Sequence, residues 1–254
     1  MIRLDTNTDN NYLFRKVAIV VEFVGSPGAG KTTSCQHFSE VLKKKNLKVC
    51  LSQDIKVYVR QLNMLKKLFL FSETLLLKGH LLLLYPIALA FNNAVSLHAV
   101  YRYFRLAIFN QALPKLVRLQ AFDIVLLDQW AIQELWSATI FNLHAFNNLN
   151  HLSKFYLNPD LVFYLDVNEA IASDRISKRN TNLSRFDNMP PEKRLTELSK
   201  YKTHLYQLYQ RSDCRHKFVL SAEETLNQNA KHFYKQLKLF PGTKQKTSNP
   251  KRKR

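Results

Sequence analysis

The sequence predicts a three-layer α/β fold around a parallel sheet, and three observations carry that expectation. Continuous apolar runs rich in Val, Ile and Leu recur at Lys16–Val24, Phe122–Leu127 and Leu161–Leu165, the pattern of strands buried on both faces. Segments of helical period alternate with them, which is the mark of a doubly wound sheet. Three of the chain's five glycines, Gly25, Gly28 and Gly30, fall between the first run and the helix that follows it. A chain so sparing of glycine needs unusual backbone geometry at that one place.

Taken in order, Lys16–Val24 is the first strand and Gly25–Gly30 a turn. Lys31–Lys45 is a helix with Phe38, Val41 and Leu42 on one face, stopped near Asn46. Leu47–Ser52 is the second strand, and the β-loop-α-β unit implies a right-handed crossover. Ile55–Leu119 is Leu-rich and helical in period, with breaks expected near Gly79–His80, Pro86 and Pro114. Phe122–Leu127 is a third strand ending at Asp128, and Ala131–Phe155 reads helical. Asn158-Pro159-Asp160 is a turn signal before the fourth strand, Leu161–Leu165, which ends at Asp166. Asn168–Arg179 is a helix and Asn180–Asn188 a polar loop. Pro190-Pro191 opens a helix running to about Arg211. Lys217–Leu220 is a fifth strand and Thr225–Leu239 the last helix. The expected organisation is an N-terminal extension over residues 1–15, one domain over 16–240, and a basic, disordered tail over 241–254.

The chain has 254 residues, 46% of them hydrophobic, enough for a core without staples. Its formal net charge is +19, which favours polyanions: nucleotides, nucleic acid or acidic lipid. Weak contact with nucleic acid or an acidic membrane through the basic surface and tail stays open beside the plainer reading of a generally basic protein. Cys35, Cys50 and Cys214 are odd in number and far apart, against a disulfide framework or thiolate metal site and in keeping with a reducing cytoplasm. Lys251-Arg252-Lys253-Arg254 reads either as a nuclear address or as a solvated tail. Met1–Tyr12 has no apolar core of a signal peptide. Within the Leu-rich stretch 65–91, Leu68–Phe91 is interrupted by Glu73, Lys78, Gly79, His80 and Pro86, and its longest clean run, Leu81–Phe91, is eleven residues, short of the roughly 18–20 residues of a membrane span. It reads as buried or amphipathic helix, with peripheral membrane attachment as the alternative.

Gly25-Ser26-Pro27-Gly28-Ala29-Gly30-Lys31-Thr32 fits G-x-x-x-x-G-K-[ST], the P-loop, with a strand before it and a helix after it. Its small residues let backbone N–H groups turn toward phosphates, and the helix aims its positive end at the same place. Lys31 is expected to reach the β- and γ-phosphates of ATP. Thr32 is expected to ligate Mg²⁺, with Thr33 beside it in the nucleotide site. Asp128, at a strand end, is placed to hold Mg²⁺ directly or through water.

The P-loop and strand-end Asp128 are followed by Pro159-Asp160-Leu161-Val162-Phe163-Tyr164-Leu165-Asp166, then Arg175-x-x-x-Arg179 and Ser184-Arg185-Phe186-Asp187. In this order the chain resembles the thymidylate kinase-like branch of P-loop nucleoside and nucleotide kinases over about Lys16 to Leu239. The resemblance implies five parallel strands in the order 2-3-1-4-5. It implies a lid over Arg175–Asn188, with Ser221-Ala222-Glu223 near the adenine, and homodimerisation, which is common in that family. Positioned arginines would stabilise the charge of a transferring phosphoryl group, so Arg175, Arg179 and Arg185 are candidate catalytic residues.

The acceptor side departs from that branch. The third strand ends Asp128-Gln129-Trp130 where the family has Asp-Arg-Tyr, and the second leads into Ser52-Gln53-Asp54 where it has Arg-Glu-Pro. Asp54 reads either as a carboxylate that orients an acceptor hydroxyl or as an N-cap for a helix starting at Ile55. Arg102 and Arg105, with Tyr101 and Tyr103, read either as an acceptor site or as surface. The expected function is MgATP-dependent phosphoryl transfer to a small acceptor, a nucleotide or nucleoside first. The alternatives are a sugar or lipid-linked acceptor, a P-loop ATP-binding switch, or a nucleic-acid-associated ATPase.

Overall fold

The computed structural model of the chain describes residues 18–69, 72, 97–140, 158–179, 184 and 186–239. Along the chain, β1 is Ile19–Val24, α1 Lys31–Lys43, β2 Val49–Leu51 and α2 Ser52–Gln61. Then come α3 (Leu97–Gln120), β3 (Ile124–Leu127), α4 (Ala131–Thr139) and β4 (Leu161–Asp166). Last are α5 (Glu169–Lys178), α6 (Pro191–Arg211), β5 (His216–Ser221) and α7 (Leu226–Leu239). The strands form one sheet in the order β2-β3-β1-β4-β5, and every pairing is parallel. The expected class and strand order are both present.

The sheet is buried on both faces because side chains alternate along each strand. On β1, Ile19, Val21 and Phe23 join the apolar cluster that contains Phe38 of α1 and Phe233 of α7, whereas Val20 joins the cluster with Leu113 and Leu116 of α3. On β3, Ile124 and Leu126 face the first cluster, and Val125 and Leu127 the second. The first cluster is keyed by rings: Phe23, Phe38, Phe163 and Phe233 have neighbouring centroids 4.8–5.8 Å apart. Such contacts add to the area term and fix the seating of α1 and α7.

Most element ends differ from the sequence reading by a residue or two, as helix and strand termini do; α2 begins three residues before the expected Ile55, and α4 ends at Thr139, while residues 141–155 of the helix expected to run to Phe155 lie outside the described residues. Pro114 is a larger correction, because the break expected there is absent and Pro114 lies inside α3. A proline there removes one backbone hydrogen bond. Ala112, Leu113, Leu116 and Val117 around it are all fully buried, and their packing holds the helix together across the gap. The breaks expected at Gly79–His80 and Pro86, most of the Leu-rich stretch, residues 1–15 and the 241–254 tail lie outside the described residues. Among the described residues no helix is long and apolar enough to cross a membrane.

Candidate active site

All five strands end on the same edge of the sheet, and the predicted site residues follow those ends. Gly25 comes after β1, Ser52 and Asp54 after β2, Asp128 after β3, Asp166 ends β4, and Ser221 ends β5. A crevice at the carboxyl ends of a doubly wound sheet is where such folds bind ligands.

The glycine-rich loop has the geometry its sequence demands. Gly28 and Gly30 adopt left-handed φ values of 83° and 87°. A Cβ on Gly28 would lie 2.5 Å from the Ala172 carbonyl oxygen, so the loop rests directly on α5. A Cβ on Gly30 would meet nothing within 4 Å. The open side of the loop is therefore at Gly30, which is also the N-cap of α1. No side chain caps that helix, and no acidic residue stands in its first turn. Its first N–H groups and its positive end are left for an anion, so this cradle fits a nucleotide's phosphates.

Lys31 folds back over the loop, its Nζ donating to the carbonyl oxygens of Gly25 at 2.7 Å and Ser26 at 3.1 Å. Burial lowers its pKa to about 8; the Asp128 carboxylate opposes this and the nearby Arg179 charge adds to it. The Thr32 hydroxyl donates to Asp128 Oδ2 at 2.6 Å, so the two expected metal ligands are in contact. Asp128 is steadied by its own N–H, which donates to Ser52 Oγ at 3.1 Å, while its Oδ1 is buried without a hydrogen-bond partner. A buried orphan carboxylate oxygen beside a hydroxyl is a hard-oxygen donor set that fits Mg²⁺ completed by water and phosphate.

The expected lid residues fall into different places. Arg175 donates to the Ala222 carbonyl at 2.9 Å and to the Gly28 carbonyl at 3.5 Å, linking the β5–α7 loop to the P-loop. Ala222 is also held by its N–H, which donates to the Asp166 carbonyl at 2.6 Å, and Asn229 donates to the Ser221 carbonyl at 2.6 Å. The segment expected near the adenine is thus fixed to the phosphate loop. Arg179 pairs with the buried carboxylate of Asp187 at 2.6 Å. Arg185 lies outside the described residues.

Of the residues expected on the acceptor side, Asp54 accepts the Leu51 N–H at 2.7 Å, a reach-back cap with no reciprocal bond because a leucine side chain has no acceptor. It stands three residues into a helix that begins at Ser52 rather than at Ile55, so the cap acts from within the first turn. Arg102 and Arg105 of α3 both pair with Glu134 of α4, Arg102 at 3.0 Å. Glu134 is buried, and the two guanidinium groups are partly exposed. Tyr101 is exposed.

Four polar residues here were not singled out from sequence. Gln133 accepts the Gly25 N–H at 3.2 Å through its side-chain oxygen. Glu22, in the middle of β1, accepts the Gln133 N–H at 3.1 Å and that of Ile132 at 3.4 Å, capping α4 from the central strand. Burial pushes its carboxyl up to about 8 against those hydrogen bonds. Glu134 and the buried Arg194 complete the set. The available signal was an acid inside an apolar strand run, which must find donors when buried.

No protein-family model matches the chain, and no curated protein matches it. Among solved structures it is similar to deoxyadenosine kinase from M. mycoides with the products dCMP and a flexible dCDP bound. The TM-score is 0.53 at 16% identity, covering 87% of this chain and 100% of that one. A dCTP-bound structure of the M. mycoides enzyme gives 0.49 at 16% identity over the same shares. At that identity the comparison shows a shared fold, the sheet and flanking helices that hold the glycine-rich loop at the centre of the crevice.

Proposed function

We propose that the chain is a MgATP-dependent kinase that phosphorylates a small acceptor, a nucleoside or nucleotide. The observation that carries this is the Thr32–Asp128 contact at 2.6 Å beside a P-loop whose helix end is uncapped. The similarity to a deoxyadenosine kinase, solved with deoxynucleotides bound, supports a nucleoside-type acceptor. Thymidylate itself is the weaker choice within that class, since Gln129 and the buried Trp130 follow Asp128 where an arginine would grip an acceptor phosphate.

In this reading the N–H groups of Gly28–Thr33 and the Lys31 ammonium bind the phosphates, Lys31 leaving its two carbonyls to do so. Thr32 and Asp128 would hold Mg²⁺, which when bound neutralises charge on the phosphate oxygens. Arg175 keeps the base-side loop in register with the phosphate loop, and Arg179 faces the transferring group. The acceptor hydroxyl oxygen bonds to the γ-phosphorus as the bond to the β–γ bridging oxygen breaks. Asp54, exposed after β2, takes up the hydroxyl proton with the oxygen not engaged by Leu51. Arg102, Arg105 and Glu134 form a charged wall on the acceptor side, able to hydrogen-bond a polar base edge.

The test is MgATP turnover by the full chain across deoxynucleosides, nucleoside monophosphates, sugars and nucleic acid, with Lys31→Ala as control. ADP formed with one nucleoside-type acceptor and abolished in the variant supports the reading. Turnover stimulated only by nucleic acid, or tight ATP binding with no acceptor-dependent turnover, overturns it.

A further inference from the structure

We infer that Asp187 is a positioning residue that holds one edge of the Arg179 guanidinium and so presents the other edge to the transferring phosphoryl group. The inference rests on the phosphotransferase reading and deepens it. Three observations carry it.

The first is the manner of the grip. Asp187 Oδ1 accepts from both Nε and Nη2 of Arg179, at 3.2 and 2.6 Å. These two nitrogens lie on one edge of the planar group, and among the described residues Nη1 makes no hydrogen bond that competes with a phosphate. A guanidinium held along one edge keeps its plane and its remaining donors fixed, which lowers the ordering cost of a second, bidentate contact.

The second is that Asp187 is itself immobilised. Its carboxylate is 3% exposed, and Oδ2 accepts the Ser184 N–H at 2.9 Å. Its backbone carbonyl receives Nη2 of the buried Arg194 at 3.4 Å, and that nitrogen also donates to the Met189 carbonyl at 2.7 Å. The other Arg194 nitrogen, Nη1, donates to the Ser173 carbonyl at 3.1 Å and to Ser177 Oγ. Arg194 thereby ties Asp187 to α5, the helix on which the P-loop rests and at whose end Arg179 stands.

The third is placement. Arg179 ends α5 one turn beyond Arg175, which donates to the Gly28 carbonyl, and its charge is felt at Lys31, so the guanidinium stands near the phosphate cradle. Bringing two cations together without a ligand is unfavourable, and an anion between them relieves it. A buried carboxylate on the far edge keeps Arg179 there in the meantime.

The experiment compares calorimetric affinities of MgADP and a non-hydrolysable MgATP analogue for the wild type, Arg179→Ala, Asp187→Asn, Asp187→Ala and the Arg179→Ala/Asp187→Ala double variant. Arg179→Ala is expected to weaken the analogue about tenfold, the size of one charge-assisted hydrogen bond, and to leave MgADP nearly unchanged. Both Asp187 variants should reproduce that selective loss in part or whole, and the double variant should lose no more than Arg179→Ala. Thermal melts identify variants that fail to fold, and Asp187→Asn, which keeps the side-chain volume, then decides. Equal weakening of both nucleotides by Asp187→Asn, tighter analogue binding, or an undiminished Asp187 effect in the Arg179→Ala background overturns the inference. The readout needs no acceptor. A chain that binds nucleotide selectively yet phosphorylates nothing would sink the kinase reading alone, and one that binds neither nucleotide would sink both.

Discussion

On the nucleotide side of the crevice the links are made mainly to backbone. Lys31 donates to two carbonyls of its own loop, Arg175 to one carbonyl in each of two loops, and Gln133 receives the Gly25 N–H. On the acceptor side the counterpart is a side-chain cluster, Glu134 with Arg102 and Arg105, reaching across from α4 to α3. Backbone-defined sites tolerate few residue types and bind what every nucleotide has in common, its phosphates. A side-chain cluster can be rewritten residue by residue, so under the proposed kinase function selectivity among acceptors belongs there.

The comparison breaks hardest at Asp128. Asp128→Ala should reduce MgATP turnover by about two orders of magnitude or more, the scale of losing one preorganised electrostatic group. Raising the Mg²⁺ concentration should recover part of it, and a steady-state assay over a metal titration checks this. A second contrast lies inside the loop. Gly28→Ala forces a Cβ against the Ala172 carbonyl at a left-handed φ and should cost about 2–4 kcal/mol, read as a large fall in Tm. Gly30→Ala meets open space and should cost only about 1–2 kcal/mol from its φ, yet weaken nucleotide binding. If both variants melt alike, the loop is not seated on α5 as described.

On the acceptor side, Glu134→Ala leaves two arginines facing each other. It should raise the acceptor KM about tenfold with little change in the KM for ATP, and an equal rise in both would erase the distinction between the halves. The smallest expected effect is one of pH. Free Lys31 has its pKa lowered to about 8, and bound phosphates favour its charged form. Binding therefore takes up a proton once pH exceeds about 8, so nucleotide affinity should fall above that value, seen as a declining association constant between about pH 8 and 9.5. The Lys31→Arg variant should flatten that decline, since a guanidinium stays charged throughout the range.

The same division explains what could be read from the chain. The P-loop is local: eight consecutive residues between an apolar run and a helix, with glycines where positive φ is required. The strand order followed from resemblance rather than from any property of the strands, because parallel pairing partners are not marked in sequence. The Glu134 cluster was half visible, since Arg102 and Arg105 were noticed but their common partner lies about thirty positions further on. Arg175 stands beside the P-loop, but its carbonyl partners are set by tertiary packing that no spacing encodes. Asp54 shows the limit of a residue with two sufficient uses: the capping role is visible in the hydrogen bond to Leu51, and the acceptor role waits for an assay. Pro114 failed as punctuation because buried neighbours on either side outweigh one missing donor.

The carboxylate of Glu22 bears on how distant parts of the molecule depend on each other. The first turn of α4 takes its cap from a strand 110 residues earlier, so that cap exists only where β1 lies beside β3. Helix and central strand are therefore locked to each other, and Gln133, which leaves the same turn to hold Gly25, is part of the same lock. The phosphate loop thus depends on long-range closure of the sheet centre, even though every residue that names it lies within one short stretch.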